Sequence, residues 1–162
     1  IRGLKKKKIS KDFVFMSVDL NGLKSINDEK GHAAGDELIK GAATCLTRCF
    51  GGNGRVYRIG GDEFVVLFYA EENKLQKLFS DFETVVLKWK GKLVDRLSIS
   101  YGFVTRREYP KKSIEDLVEI SDKRMYDNKK KYYKTINFLS FCGNFIHCIS
   151  LSLKVFYKIE QY

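Results

Sequence analysis

The sequence predicts an α+β domain with the element order β-α-β-β-α-β-α, a split βαβ arrangement in which helices pack on one face of an antiparallel sheet. Three observations indicate this fold. The segment FVFMSVD at 13–19 is apolar on both faces, as a central strand covered on two sides would be. Two short strand patterns, at about 55–59 and 64–69, flank a Gly-Gly-Asp-Glu turn and predict a hairpin. Helical patterns separate and follow these strands.

The remaining elements follow from apolar spacing. One helix is predicted to begin at Gly35 and to end at FGGNG, residues 50–54. A second helix is predicted for about 72–90, and alternating residues at 97–103 predict another strand. Ser113 forms a capping box with the acidic residue three positions on, which predicts the start of a third helix. The face of that helix predicted to be buried comprises Ile114, Leu117, Val118, Ser121 and Met125.

Composition is typical of one folded domain with an anionic ligand. The chain has 162 residues, 44% of them hydrophobic, a formal net charge of +10 and a pI of about 9.4. Such a charge favours polyanions of any kind. Nucleic acid is the less favoured partner, because the basic residues do not interleave with aromatic residues as a stacking platform would. KKKK at 5–8 is not followed by the long apolar segment of a signal peptide.

The cysteines and the C-terminal segment define no further site. Cys45, Cys49, Cys142 and Cys148 lack metal-ligand spacing, so reduced packing thiols in a cytoplasmic domain are expected. The domain is predicted to occupy residues 1–135, followed by an apolar tail at 136–162. The first 18 residues of the tail, 136–153, are uncharged, which is the lower limit for a membrane span. Their polar side chains favour extra strands or a segment foreign to the domain, and membrane contact is the lesser alternative.

Three carboxylates are predicted to converge at one edge of the sheet. Asp19 ends a buried strand, and Asp62 and Glu63 lie at the hairpin tip, beside the first strand in a split βαβ sheet. Carboxylates this close repel one another unless a divalent cation neutralises them. Mg²⁺ suits such a site, because it binds carboxylate and carbonyl oxygens and leaves its remaining coordination positions to phosphates. The Leu20 carbonyl is available as a further ligand. The alternative is an ordinary turn with solvated acids.

Several separated motifs resemble the GGDEF domain of diguanylate cyclases. They are RIGGDEF at 58–64, DLNGLKSINDEKGHAAGD at 19–36, SISYG at 98–102 and SDKRMYDNKK at 121–130, and together they cover roughly residues 10–134. The resemblance implies a ferredoxin-like, palm-type nucleotidyl cyclase fold. It also implies that two GTP molecules are joined into cyclic di-GMP, with loss of two pyrophosphates and with Mg²⁺ or Mn²⁺ as cofactor.

The resemblance assigns roles to individual residues. Asp19, the Leu20 carbonyl and Asp62 would hold the metal, Glu63 would assist, and Asp62 or Glu63 would help to deprotonate the attacking 3′-hydroxyl. The implied nucleotide contacts are Asn27, His32 and Asp36 at guanine, and Lys24, Arg58 and Lys129 at the triphosphate. Taken singly, each of these residues has a simpler reading as a turn cap, a loop residue or a solvated lysine.

The sequence departs from the family pattern at several positions. Gly51 and Gly54 stand where many members carry the Arg-x-x-Asp charges of a product-binding inhibitory site, so product inhibition there is expected to be absent or weak. Tyr133 replaces a frequent arginine, with Lys134 adjacent, and Asn21 replaces a frequent aspartate. The family's usual lead-in is missing, so the chain is expected to begin inside the domain.

Joining two GTP molecules requires two such domains to face each other about a two-fold axis. We therefore expect a homodimer, although the sequence encodes no dimerisation element. The expected context is the cytoplasmic output module of a larger signalling protein whose upstream sensor domain is absent from this chain. The alternative is a catalytically inactive GGDEF-like module that binds GTP and regulates a partner.

Overall fold

The computed structural model describes residues 9–141, which contain four strands and four helices. In chain order these are β1 (Phe13–Leu20), α1 (Leu23–Lys30), α2 (His32–Phe50), β2 (Gly54–Arg58), β3 (Glu63–Tyr69), α3 (Glu72–Lys88), β4 (Ile99–Thr105) and α4 (Ile114–Phe141). The strands form one antiparallel sheet in the order β2-β3-β1-β4. The predicted fold class and the pairing of the first strand with the third are confirmed.

Strand β1 is central and buried on both faces. Its even-numbered residues, Val14 to Leu20, pack in the core formed with α2 and α3. Phe13 and Phe15 lie on the other face with Leu117 of α4. The prediction that helices pack on one face was therefore wrong: α4 covers the second face, because two buried phenylalanines there require an apolar cover.

The predicted elements are present with shifted ends and one addition. Helix α1 was not predicted, because none of its residues is buried in the described structure and its apolar pattern is weak. Gly22 adopts φ 76° immediately before α1, and Gly31 adopts φ 81° between α1 and α2, conformations that glycine reaches without strain. The predicted capping box is confirmed, since the Ser113 N–H donates to Asp116 Oδ2 (2.8 Å) and the Asp116 N–H donates to Ser113 Oγ (3.0 Å).

Helix α4 approaches the sheet most closely at Gly102 of β4. A Cβ atom on Gly102 would lie 2.2 Å from the Met125 nitrogen and 2.4 Å from the Ser121 carbonyl oxygen. Beside this contact, the Ser17 hydroxyl on β1 lies 2.7 Å from the Ser121 hydroxyl and donates to the Asp122 carboxylate. Helix α4 is thus held against the sheet by three features: the close approach at Gly102, the polar contact made by Ser17, and the apolar face of the helix.

Helix α4 runs through position 136 to Phe141. The rest of the predicted tail, with Cys142 and Cys148, lies outside the described residues, as does KKKK at 5–8. Within residues 9–141, Cys45 and Cys49 of α2 are free thiols, and Cys45 is buried as predicted. No helix of that described range has the length and apolar character needed to cross a bilayer.

Candidate active site

The sheet brings the predicted carboxylates together at one end of β1. Asp19, the penultimate residue of β1, lies directly opposite Glu63 of β3 in the antiparallel register. Asp62 immediately precedes Glu63, and its carbonyl oxygen accepts a hydrogen bond from the Leu20 N–H (2.9 Å). The tip of the β2–β3 hairpin is therefore tied to the end of the central strand.

Asp19 is a buried acid with one free oxygen. Its side chain is 7% exposed, and Oδ2 accepts a hydrogen bond from Lys129 Nζ of α4 at 2.7 Å. Oδ1 is buried and has no hydrogen-bond partner among residues 9–141. Burial raises the pKa of Asp19 above its ordinary value; Lys129 opposes this increase in pKa, and the nearby charge of Asp62 adds to it. An additional cation would stabilise the ionised form.

This arrangement fits a divalent cation. A buried carboxylate oxygen without a partner, an adjacent acid and main-chain oxygens are the donors that Mg²⁺ uses when substrate phosphates complete its coordination. In the described part of the chain no three His, Cys, Asp or Glu side chains are close enough to form a ready-made metal cluster. Asp19, Asp62 and the Leu20 carbonyl are the residues that would hold the ion. The part predicted for Glu63, whose side chain is exposed, stays a prediction.

Arg58 supports the hairpin turn in this structure. Its Nε donates to the Gly60 carbonyl oxygen at 3.1 Å and its Nη2 to that of Gly61 at 2.9 Å. The Ile59 N–H donates to the Glu63 carbonyl oxygen (3.0 Å) and closes the turn. The predicted triphosphate contact of Arg58 stays a prediction; its contact with the glycine carbonyls is a role that the sequence pattern did not indicate.

The predicted guanine-binding residues lie on the α1–α2 helix pair. Asn27 Oδ1 is buried and has no hydrogen-bond partner in the described residues. A Cβ atom built on Gly35 would lie 2.0 Å from this oxygen. Gly35 is thus required to accommodate the Asn27 amide. A buried oxygen without a partner calls for an explanation, and a ligand that donates a hydrogen bond would supply one. The other predicted contacts on this helix pair have exposed side chains: Lys24, His32 and Asp36.

Asn21, directly after β1, bonds to the segment that leads into β4. Its Nδ2 donates to Ser98 Oγ (3.0 Å), and its Oδ1 accepts from Ser100 Oγ (2.9 Å). Its backbone N–H donates to the Ser98 carbonyl oxygen (3.0 Å). Asn21 therefore fixes the exit of β1 against the start of β4. The serines of the SISYG segment were the available signal for this role, since buried hydroxyls require polar partners.

The Lys129–Asp19 ion pair predicts a stability effect. We expect Lys129→Met to lower the free energy of unfolding in EDTA at neutral pH by about 1–2 kcal/mol, because it leaves the buried carboxylate unpaired while the lysine itself is partly exposed. Urea denaturation measures the change, and Lys131→Met, an exposed neighbour, is the control. Adding Mn²⁺ should recover the lost stability. An equal effect of both substitutions would contradict the prediction.

Comparison with known proteins gives a family match and curated relatives. The family model described as "Diguanylate cyclase, GGDEF domain" matches residues 2–134. The probable diguanylate cyclase DgcI of Escherichia coli (strain K12) is 34% identical over 113 residues, which cover 69% of this chain and 24% of that protein. Diguanylate cyclase A of Treponema denticola is 29% identical over 120 residues, 71% of this chain and 32% of that protein. The chain thus spans about a quarter to a third of the length of these curated relatives.

Solved structures show the same fold. The GGDEF domain of DgcB from Caulobacter crescentus, crystallised in complex with c-di-GMP, superimposes with a TM-score of 0.65. The match covers 74% of this chain and 72% of that chain at 23% sequence identity. A likeness at this identity establishes the arrangement of strands and helices.

Proposed function

The chain belongs to the GGDEF family of diguanylate cyclase domains, and we propose that it is a catalytic member that condenses two GTP molecules into cyclic di-GMP with Mg²⁺ or Mn²⁺. The observation that carries this proposal is the Asp19 carboxylate, buried beside Asp62 with one oxygen unpartnered within residues 9–141. Lys129 pairs with Oδ2 alone, and a buried carboxylate oxygen without a partner is costly unless a further cation or donor binds it. An end of a sheet with a purely structural role would have no need of a buried carboxylate with an unpartnered oxygen.

In the proposed reaction each GTP supplies a 3′-hydroxyl that attacks the α-phosphorus of the other. Each attack forms a phosphodiester bond, breaks the bond between the α- and β-phosphates and releases pyrophosphate. Asp62 or Glu63 accepts the proton of the attacking hydroxyl. The metal ion, when bound, neutralises the charge that develops on the phosphates. Lys24, Lys129 and Arg58 add positive charge around the triphosphate, which positions it.

The α1–α2 pair is proposed to read the base. Asn27 and Asp36 offer an amide and a carboxylate, and together these groups match the mixed edge of guanine, the carboxylate accepting from N1 and N2. His32 lies at the start of α2, between them in the sequence. GTP is then oriented by the helix pair at its base and by the end of β1 at its phosphates.

Catalysis is proposed to require a homodimer, because each site holds one GTP and each nucleotide attacks the other. The chain alone would then be most active at high protein concentration. An upstream sensor domain that brings two copies together, within a larger cytoplasmic signalling protein, is the proposed natural context. Activity should therefore rise more steeply than in proportion to enzyme concentration.

A second candidate is a GTP-binding module without turnover. Two of the predicted phosphate-binding cations are engaged with protein atoms in this structure: Lys129 with Asp19, and Arg58 with the Gly60 and Gly61 carbonyls. A site whose cations kept these partners would bind nucleotide without aligning it for attack. In this alternative the chain regulates a partner protein according to whether GTP is bound.

Mass spectrometry of the products separates the two candidates. The chain is incubated with GTP and Mg²⁺ at high protein concentration, beside Asp62→Ala, and binding of a non-hydrolysable GTP analogue is measured by calorimetry. Cyclic di-GMP that is lost in Asp62→Ala supports the enzyme. Analogue binding without product, even when two copies are joined by a fused dimerisation tag, favours the regulatory module. Absence of both binding and product refutes both candidates.

Product inhibition through residues 51–54 is predicted to be absent. Neither Gly51 nor Gly54 carries charge, and the structure adds a steric reason: a Cβ on Gly54 would lie 2.4 Å from both the Leu67 carbonyl oxygen and Phe68 Cβ. We therefore expect Gly51→Arg combined with Gly54→Asp to destabilise β2 without creating an inhibitory site. Calorimetry with cyclic di-GMP checks this. Tight binding to the unchanged chain that is lost only on altering residues 51–54 would refute it.

A further inference from the structure

The segment between α3 and β4 is attached to the helix pair proposed to bind guanine. We call residues 89–94 the strap. Trp89, at its start, lies over α2 at Gly41, where an added Cβ would come within 2.5 Å of the indole ring. Val94, at its end, is 5% exposed and belongs to the core shared with α2 and α3. Both ends of the strap are thus packed against the body of the domain.

Glu37 of α2 binds the middle of the strap through its carboxylate. Oε1 accepts a hydrogen bond from the Lys92 N–H at 2.7 Å. Oε2 accepts from the Leu93 N–H at 2.8 Å and from the Val94 N–H at 3.0 Å. These backbone hydrogen bonds hold the pKa of Glu37 below its ordinary value, because they stabilise the charged form of the carboxylate.

The contact with Glu37 leaves no room for a side chain at the start of the turn. A Cβ on Gly91 would lie 2.3 Å from Glu37 Oε2. The Gly91 N–H donates to the Val94 carbonyl oxygen at 2.9 Å and closes the turn whose amides point at the carboxylate. Sequence reasoning gave no role to Gly91 or Glu37, because the contact joins residues more than fifty positions apart.

The strap also holds the end of α1. Lys30, the last residue of that helix, donates through Nζ to the Leu93 carbonyl oxygen at 3.2 Å. Helix α1 has no fully buried residue in the described structure, so its position depends on the partly buried Leu23 and Ile26 and on its contacts with α2 and with the strap. Asn27 lies on α1, and Asp36 on α2 is adjacent to Glu37.

We propose that Glu37 is a positioning residue for guanine recognition: by binding the strap, it holds α1 and α2 in the relative placement that lets Asn27 and Asp36 contact one base. This inference rests on the proposed function. It goes beyond it in assigning base discrimination to a carboxylate that does not itself touch the nucleotide. A merely structural Glu37 would affect stability and leave the preference for guanine over adenine unchanged.

The test compares Glu37→Gln with Glu29→Gln, which removes the same charge from the exposed surface of α1. Binding of non-hydrolysable GTP and ATP analogues is measured by calorimetry at a temperature where circular dichroism shows each variant folded. We expect Glu37→Gln to weaken GTP-analogue binding roughly tenfold or more, the scale of losses at supporting residues. The ratio of the affinity for the GTP analogue to the affinity for the ATP analogue should also fall. Mn²⁺ binding without nucleotide should be unchanged, since Asp19 is held by the sheet.

Gly91→Ala is the second variant, because it displaces the carboxylate sterically while its charge remains. It should reproduce the loss of base preference, and both variants should speed hydrogen exchange in α1. An unchanged base preference in folded Glu37→Gln, where the unchanged chain binds the GTP analogue, would overturn the inference alone. An unchanged chain that does not bind the analogue would overturn the proposed function, and the role of Glu37 with it.

Discussion

Asp19→Asn is expected to reduce the formation of cyclic di-GMP at least about 100-fold, the scale seen when one electrostatic contributor to a transition state is removed. Asparagine keeps the shape of the side chain and loses the charge that would bind the metal at Oδ1. The variant should remain folded, because burial already disfavours the charged form of Asp19. Initial rates measured by chromatography report the loss of product formation. Electron paramagnetic resonance of Mn²⁺ reports the loss of metal binding separately.

Asp12→Asn is the matched control for this experiment. Asp12 precedes β1 and pairs with Arg107 at the surface, 2.9 Å away, so its loss should leave the rate and Mn²⁺ binding unchanged. Combining Asp19→Asn with Lys129→Met should cost less stability than Lys129→Met alone, because both partners of the pair are then removed. Near-normal activity of folded Asp19→Asn would remove the basis for a metal site at the end of β1.

Gly102→Ala is expected to be among the most destabilising single-methyl additions in the described domain, with a loss of about 1–3 kcal/mol or more. The added carbon would meet backbone atoms of α4, the Met125 nitrogen and the Ser121 carbonyl oxygen, and backbone cannot move aside as a flexible side chain can. The helix must shift away from β4, which loosens the core around Leu117. Thermal and urea unfolding followed by circular dichroism measure the loss.

Gly52→Ala is the control, since the described residues leave open space around the position where its Cβ would be built. It should change stability by no more than a few tenths of a kcal/mol, as surface substitutions away from special features do. Comparable losses at positions 52 and 102 would mean that the helix–sheet approach is not what makes Gly102 sensitive. Lys129 should also lose its hydrogen bond with Asp19 in Gly102→Ala, because it lies further along the displaced helix.

The elements of the fold that could be predicted are those with a clear periodic pattern of apolar residues. The segment 13–19 is apolar on both faces because β1 is central, and its own burial pattern already required the second layer that α4 supplies. Helix α1 escaped prediction because it contains no fully buried residue, and only Leu23 and Ile26 pack, partly buried, against the core. The ends of β4 were displaced because Leu97 is buried before the strand begins, so its burial resembled strand alternation.

The candidate site divides in the same way. The convergence of Asp19 with Asp62 and Glu63 could be predicted, because strand pairing in a split βαβ sheet determines which ends meet. The partners of Lys129, Arg58 and Glu37 could not be predicted. Lys129 contacts a side chain distant in the sequence, and Arg58 and Glu37 contact turn or distant backbone, and none of these contacts leaves a periodic pattern. The metal, nucleotide and catalytic roles stay predictions until the binding and product experiments are done.

The polar contact between Ser17, Ser121 and Asp122 has a consequence for the alignment of α4. Apolar packing is non-directional, so an apolar interface alone would let a helix slide or rotate along the sheet. A hydroxyl pair bonded across that interface penalises every shifted arrangement, because displaced polar atoms would be buried without partners. Lys129 follows Asp122 by seven residues, about two helical turns, and therefore shares its face. The two serines thus fix the rotation of α4 about its own axis. This rotation in turn directs the Lys129 side chain toward Asp19.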